Sequence, residues 1–214
     1  MTHTRSTWAI HLGIAIGVAA MLGCGSNSPT SPASSRYVVS AGTDGNFPTI
    51  AAAMKVVPPG EVIEVRGAIG ERVVIDKAGI TLRGAASAAL DGALLDGRGI
   101  GIHITAPDVE VSGLIVRNFE RGIVVQNTSG AVLTRNEIHA SNSKTANSAP
   151  PLAPGVDLFE GIVLVGASNV QITDNLVRNN GHDGLMLMGG SRNNTIRNNR
   201  MHDNGAQTHP GRFG

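Results

Sequence analysis

A glycine followed by an apolar-x-apolar triplet recurs in the second half of the sequence, and this repeat constrains the fold more than any other feature. The four copies begin at Gly101, Gly122, Gly161 and Gly184. These glycines are 21, 39 and 23 residues apart. A second apolar triplet follows in each copy, and in three copies an asparagine comes three residues after its end: Asn136, Asn175 and Asn199. Three short strands in roughly 22 residues fit a coil that adds one strand to each of three parallel sheets, with coils about 4.8 Å apart.

The segment before the repeat has a different pattern. Residues 37–40 are typical of a short strand, and the stretch from Thr49 to Val57 has apolar residues at helical spacing. Thr49 is a suitable N-cap, and Pro58-Pro59-Gly60 is expected to end the helix. The sequence therefore predicts a short N-terminal helix that caps an all-β domain.

Composition excludes several other classes of protein. With 17 Lys+Arg, 16 Asp+Glu and a net charge of +1, the chain lacks the basic field of a general nucleic-acid-binding protein. A single cysteine rules out an intramolecular disulfide and a cysteine-based zinc cluster. Because aromatic residues make up only 3%, the core is expected to consist of thin layers of Val, Ile, Leu and Ala.

The Gly-Ile-x-Leu and Asn-x-Ile repeats from 101 to 204, together with the opening strand and helix, resemble the pectate lyase-like superfamily. The resemblance covers residues 37–205. It implies a right-handed parallel β-helix, that is, a three-sheet solenoid with a short N-terminal capping helix. Its implication for function is broad, because the superfamily contains lyases, hydrolases, esterases, uronan epimerases, periplasmic accessory proteins and adhesins.

The N-terminus has the layout of a bacterial export signal, with one arginine and then an apolar run from Trp8 to Gly23. The segment Met21-Leu22-Gly23-Cys24 resembles a lipobox, which implies cleavage before Cys24 and lipidation of that residue; the alternative is an ordinary secretory signal with an incidental cysteine. The predicted organisation is an export signal over 1–23, a Ser/Pro-rich tether over 24–36 and a β-helix domain over 37–214 that is incomplete at its C-terminus. The expected location is the outer membrane, the periplasm or the cell surface.

Residues just before the repeat glycines form the first candidate site. Glu160 and Asp183 are expected one coil apart, close enough to share a proton or to hold Ca²⁺, the candidate cofactor. His182 beside Asp183 is a candidate general acid or base. These three residues are the predicted catalytic group, and the two carboxylates are the predicted metal ligands. Ordinary turn composition explains the same residues without a catalytic role.

A second candidate site consists of four residues that each follow an inward apolar residue of a third strand: Arg117, His139, Arg178 and His202. We call them the cationic column. Positive groups repeating at about 4.8 Å suit an extended uronate chain, whose carboxylates recur at a comparable interval. A solvated face that keeps the sheet soluble is the alternative interpretation.

An insertion of about sixteen residues lengthens the 39-residue interval. We expect the inserted segment to lie over an outer face formed by His103, Val124, Val163 and Met186, three of which are apolar. That apolar face argues against a catalytic surface on the same sheet. The predicted function is an exported lipoprotein that binds or processes polysaccharide, lyase-like or epimerase-like if it is an enzyme. The alternative is a non-catalytic surface-binding, scaffold or periplasmic accessory module.

Overall fold

Each coil of the chain contributes one short strand to each of three sheets. The computed structural model describes residues 37–141 and 159–205. The strands in chain order are β1 (Tyr37–Ser40), β2 (Val62–Arg66), β3 (Ala68–Ile69), β4 (Val73–Ile75), β5 (Thr81–Gly84), β6 (Ala89–Asp91), β7 (Ile100–Ile104), β8 (Glu110–Ser112), β9 (Ile115–Arg117), β10 (Arg121–Gln126), β11 (Val132–Thr134), β12 (Glu137–His139), β13 (Ile162–Val165), β14 (Gln171–Thr173), β15 (Leu176–Arg178), β16 (Leu185–Met188), β17 (Thr195–Arg197) and β18 (Arg200–His202). One α-helix, α1, spans Ile50–Val56, and a 3₁₀ turn spans Gly92–Leu94.

Three sheets run along the coil. Sheet A has the order β1-β2-β5-β8-β11-β14-β17, sheet B the order β3-β6-β9-β12-β15-β18 and sheet C the order β4-β7-β10-β13-β16. Every pairing between these strands is parallel. The predicted all-β, three-sheet parallel solenoid is therefore confirmed.

The core lies inside the coil and is built from stacked aliphatic side chains. One inward residue from each sheet of the same coil, namely Ile162, Ile172 and Val177, is fully buried. The repeat glycine at the start of β7, β10, β13 and β16 lies where the chain has no room for a side chain. At Gly122, a Cβ atom would lie 2.4 Å from the carbonyl oxygen of Gly161 in the next coil. This close approach explains why glycine recurs at that position of the repeat.

Asparagine side chains connect successive coils at the turn between sheets A and B. The Asn136 Nδ2 donates to Asn175 Oδ1 at 3.1 Å, and the Asn175 Nδ2 donates to Asn199 Oδ1 at 3.0 Å. The asparagines that recur in the sequence repeat therefore form a hydrogen-bonded stack. A second stack, which sequence reasoning missed, joins Asn180 Nδ2 to Asn204 Oδ1 at 2.9 Å at the turn before sheet C.

The helix α1 closes the first coil as predicted. The Thr49 side chain accepts a hydrogen bond from the Ala52 N–H at 3.1 Å, which makes it the N-cap. The Glu71 carboxylate accepts the backbone N–H groups of Ile50 and Ala51, both at 2.7 Å. Because Ile50 and Ala53 are fully buried, α1 covers apolar core at the N-terminal end of the sheets.

Several predictions fall outside the described residues: the export signal over 1–23, Cys24 and the tether over 24–36, residues 142–158 of the insertion predicted over 142–160, and the C-terminal segment 206–214. Within the described ranges, no helix is both long and apolar enough to cross a membrane.

Candidate functional site

The cationic column forms on the outer face of sheet B. Strand register places Arg117 beside His139, His139 beside Arg178, and Arg178 beside His202. Asp91 of β6 extends the same row by one coil. The predicted alignment of the four residues is confirmed, and their role in binding stays a prediction.

Carboxylates that the sequence reasoning missed accompany this row. The Arg117 Nε donates to Asp91 Oδ2 at 2.9 Å, and the Arg178 Nη2 donates to Glu137 Oε1 at 2.6 Å. A third pair lies beyond them, where His202 Nδ1 is 2.7 Å from Asp203 Oδ2. One signal was available in the sequence, because Asp91 comes one coil before Arg117 at the equivalent position.

Exposure and charge decide what this row offers a ligand. The Arg117 and Arg178 side chains are 37% and 31% exposed, so both ion pairs are in contact with solvent. Burial lowers the pKa of His139, and the nearby charge of Arg178 lowers it further by a smaller amount. This imidazole is therefore neutral near neutral pH. Burial opposes ionisation of Asp91, but hydrogen bonds from Asn118, Ala93 and Arg117 hold its pKa below the ordinary value. The row thus combines fixed cations with fixed carboxylates.

The predicted catalytic group divides into a buried part and an exposed part. Glu160 is fully buried and forms an ion pair with Arg121, whose Nε lies 3.2 Å from Glu160 Oε2. Arg121 is fully buried as well. Burial raises the pKa of Glu160, because removal from water penalises the carboxylate more than the Arg121 charge favours it. For the same reason, burial lowers the pKa of Arg121.

His182 and Asp183 form the exposed part, with side chains 30% and 48% exposed. The His182 Nδ1 lies 3.1 Å from Asp183 Oδ2, so the carboxylate orients the imidazole. The backbone N–H of His182 donates to the backbone carbonyl of Phe159 at 3.0 Å. Phe159 has a φ of +88°, a conformation that is strained for a bulky residue. The structure therefore brings the three predicted residues into adjacent turns, with Glu160 inside and the His182–Asp183 pair at the surface.

The described residues around Glu160 and Asp183 do not form a set of ligands for the predicted calcium ion. Ca²⁺ takes about six to eight oxygen ligands. One of the two carboxylate oxygens of Glu160 already accepts a hydrogen bond from Arg121. Among the residues that the structure describes, no group of three or more His, Cys, Asp or Glu side chains is arranged to hold a metal ion. Calcium binding stays a prediction.

Two other features of the surface are an apolar cluster on sheet C and a cleft beside α1. On the outer face of sheet C, Val124 and Val163 are fully buried in a small apolar cluster with Met186, separate from the main core. The inserted segment predicted to cover this face lies outside the described residues. A cleft of about 380 Å³ lies between α1 and β4, lined partly by Met54 and Lys77, and no predicted site residue lines it.

Comparison with known proteins gives a family and a group of similar folds. The family described as "Right handed beta helix region" matches residues 65–209. An alginate lyase from Paenibacillus sp. is 16% identical, with a TM-score of 0.48 over 73% of this chain and 65% of the lyase. A pectin methylesterase in complex with a hexasaccharide is 17% identical, with a TM-score of 0.43 over 71% of this chain and 55% of the esterase. The chain thus spans less than two thirds of either protein. No curated protein sequence matches it.

Proposed function

The chain belongs to the right-handed β-helix family, and we propose that it binds an acidic polysaccharide along the outer face of sheet B. One observation carries this proposal: strand register aligns the cationic column across β9, β12, β15 and β18. Neighbouring strands lie about 4.8 Å apart, so the column presents nitrogen donors at a spacing that suits the repeating units of an extended glycan.

The carboxylates beside the column fit this ligand. The Arg117 Nε bonds Asp91, while its guanidinium carries five N–H donors in a planar fork that suits a carboxylate. A uronate carboxylate would take donors that Asp91 leaves, and Asp91 and Glu137 would accept hydrogen bonds from sugar hydroxyl groups. The alternation of cations and carboxylates therefore suits a chain that carries both carboxylates and hydroxyls.

Titration calorimetry with polygalacturonate and with alginate at low salt tests the proposal. We expect Arg117→Gln to weaken binding about fivefold, as for one solvent-exposed ion pair. The matched control is Arg83→Gln, because Arg83 is also 37% exposed and ion-paired, to Glu64, but lies on sheet A. Binding should fade toward 1 M salt, where screening acts within about 3 Å. An equal loss in both variants, or no binding of either polymer, contradicts the proposal.

A second candidate function is favoured by the geometry at His182. Because Asp183 holds the Nδ1 side of the ring, the Nε2 side is oriented as the base that removes the proton beside a uronate carboxylate. The electrons of that C–H bond then form a carbon–carbon double bond as the neighbouring glycosidic C–O bond breaks, and the leaving oxygen takes a proton. Ultraviolet absorbance of the unsaturated product tests this reaction on the same polymers. His182→Gln should abolish it without changing affinity.

The export signal and the lipid anchor belong to the same proposal. In this scheme, residues 1–23 direct export, Cys24 carries lipid, and residues 24–36 tether the β-helix to the outer membrane or the cell surface. The position of Cys24 directly after the apolar run supports it. Fractionation of bacteria that express the chain provides the test: Cys24→Ser should move the protein from the detergent-extracted membrane fraction to the soluble fraction, and Cys24→Ser protein that still requires detergent contradicts lipidation.

A further inference from the structure

The cleft between α1 and β4, which we call the cap cleft, has walls that are fixed at both ends. At one end, the Glu71 carboxylate accepts the backbone N–H groups of Ile50 and Ala51, both at 2.7 Å. At the other end, the Lys77 Nζ donates to the backbone carbonyl of Val57 at 2.9 Å. Because these two contacts hold α1 against the segment around β4, the cleft of about 380 Å³ is preorganised, which lowers the cost of binding a ligand.

The apolar part of the cap cleft comes from both walls. Met54 of α1 and Val73 of β4 line the cleft and are buried. Val74 also lines it, and its side chain is 55% exposed. Sites for small molecules typically combine such an apolar surface with a small number of polar groups. The exposed face of Val74 is therefore available to the apolar face of a ligand.

The charged side chains of the cap cleft differ in whether they already have partners. The Arg72 Nε donates to the Arg98 carbonyl at 2.8 Å, and the same guanidinium forms an ion pair with Asp96. Lys55 and Asp76 line the cleft as well, and both are exposed. Neither of these two side chains forms a hydrogen bond or an ion pair with another residue of the described ranges. One cation and one carboxylate are thus free to contact a ligand.

Hydrogen-bond donors outnumber acceptors in the cap cleft. Lys55 offers all the N–H donors of its ammonium group, and Lys77 retains donors beyond its bond to Val57. Both carboxylate oxygens of Glu71 are engaged with α1, which leaves Asp76 as the carboxylate that can accept from a ligand. A ligand that brings a carboxylate to the donors and hydroxyl groups to Asp76 fits this balance.

We infer that the cap cleft binds the uronate unit at the end of an acidic glycan chain. This inference rests on the proposed function, which supplies the class of ligand. The uronate carboxylate would pair with Lys55, its hydroxyl groups would donate to Asp76, and the C–H face of the sugar ring would pack on Val74. The volume lies at the small end of the range of about 300–1,000 Å³ for ligand sites, which suits a terminal unit rather than a long chain.

Monosaccharides test this inference on the full chain, because one sugar cannot contact all four residues of the cationic column at a spacing of about 4.8 Å. Galacturonate and galactose are the probes, since they differ by the carboxylate. The readout is the methyl resonance of Met54, followed by NMR at low salt. Galacturonate should shift this resonance and bind about fivefold more tightly than galactose, as for one solvent-exposed ion pair.

Variants assign the two polar contacts separately. Lys55→Gln should abolish the preference for galacturonate over galactose, because the paired cation is lost. Asp76→Asn should weaken the binding of both sugars alike, because both carry hydroxyl groups. Arg135→Gln is the control and should change neither affinity, because Arg135 is exposed on a turn of another coil and has no described ion pair. Circular dichroism should show that all three variants remain folded.

Three results would overturn the inference: no shift of the Met54 resonance by galacturonate, equal affinities for the two sugars in the wild type, and a galacturonate preference that Lys55→Gln retains but Arg117→Gln loses. Polymer binding by the cationic column is measured separately with Arg117→Gln. Polymers that bind while galacturonate leaves Met54 unchanged would therefore contradict the inference about the cap cleft and leave the proposed function in place.

Discussion

Two arginine–carboxylate pairs join the same two neighbouring coils in different surroundings. The Arg121–Glu160 pair is 0% exposed, at 3.2 Å, on the turn into sheet C. The Arg178–Glu137 pair is 31% and 29% exposed, at 2.6 Å, on the outer face of sheet B. The shorter contact is the one in water, so distance alone does not rank their contributions to stability.

Exposure to solvent determines how much each of the two ion pairs contributes to stability. Removing one partner of a buried pair costs about 3–5 kcal/mol, because the remaining charge has no water to replace it. A solvent-exposed pair contributes about 0–1 kcal/mol, and water or a ligand can take over either partner. The buried pair therefore fixes two coils to each other, and the exposed pair is suited to exchange with a ligand.

The largest expected effect follows from removing the buried carboxylate. Glu160→Leu leaves the Arg121 guanidinium buried, and arginine cannot lose its proton at neutral pH. We expect a loss of about 3–5 kcal/mol in the free energy of unfolding, measured with urea. The double variant Glu160→Leu/Arg121→Met should recover most of this loss. A single variant as stable as the wild type would show that the pair lies in contact with water.

A neutral buried network should give a smaller effect. The Asn175 side chain accepts from the Asn136 N–H at 2.9 Å and donates to the Leu133 carbonyl at 2.9 Å. Asn175→Ala leaves these groups without partners and should cost about 2–4 kcal/mol in urea unfolding. Asn199→Ala in the last described coil is the control and should cost less, because Asn199 is only half-buried and water can reach the groups that it leaves. Equal losses would contradict the distinction between interior and terminal coils.

The pH dependence sharpens the contrast between the two pairs. Burial raises the pKa of Glu160 above its ordinary value of 4.5, so the folded state binds the proton more tightly than the unfolded state. The stabilising contribution of Glu160 to the free energy of unfolding is fully present below pH 4.5. It is lost as pH rises through the raised pKa of the folded state. In Arg121→Met the pKa should rise further, because the compensating cation is gone.

We therefore expect the stability of Arg121→Met, relative to the wild type, to fall as pH rises above the raised pKa that Glu160 has in the wild type. Urea unfolding at several pH values measures this difference, and the comparison cancels the contributions of the other carboxylates. The difference between Glu160→Gln/Arg121→Met and Glu160→Gln alone should show no such slope, because neither of these variants has a titrating group at position 160. A difference that does not vary with pH would mean that Arg121 has no effect on the pKa of Glu160 in the folded state.

The smallest effect is expected at the exposed pair. Arg178→Gln should change the free energy of unfolding by less than about 1 kcal/mol, because water replaces the lost ion pair. The same variant should weaken glycan binding if the cationic column is the binding surface. Thermal unfolding and calorimetry on one protein sample separate the two outcomes. A loss of several kcal/mol in the free energy of unfolding would show that the Arg178–Glu137 pair behaves like the buried Arg121–Glu160 pair.

The fold was predictable because it depends on local periodicity. Gly122, Gly161 and their triplets recur at intervals close to one coil, and only stacking buries such short strands. The capping helix was predictable from the N-cap Thr49 and its apolar stripe. Both features depend on residues that are close together in the sequence.

The candidate site was harder to predict because it depends on burial. Sequence reasoning paired Glu160 with Asp183 as catalytic residues and metal ligands, whereas in the structure Glu160 is buried and pairs with Arg121. The signal was present, since Arg121 and Glu160 each precede a repeat glycine and have opposite charges. The direction of a side chain at a turn depends on φ, and the +88° at Phe159 has no sequence signature. The catalytic and binding roles themselves stay predictions.

The interval of 39 residues between Gly122 and Gly161 has a consequence for how such proteins diversify. The Gly122 N–H donates to the Glu160 carbonyl at 3.1 Å across this interval, as the Gly161 N–H does to Asp183 at 2.8 Å across the shorter one. The backbone pairing is thus insensitive to the number of residues inserted between coils, and each doubling of a loop costs only about 0.6 kcal/mol. Natural selection can lengthen or exchange one turn while the solenoid is inherited unchanged, so specificity and scaffold evolve at different rates.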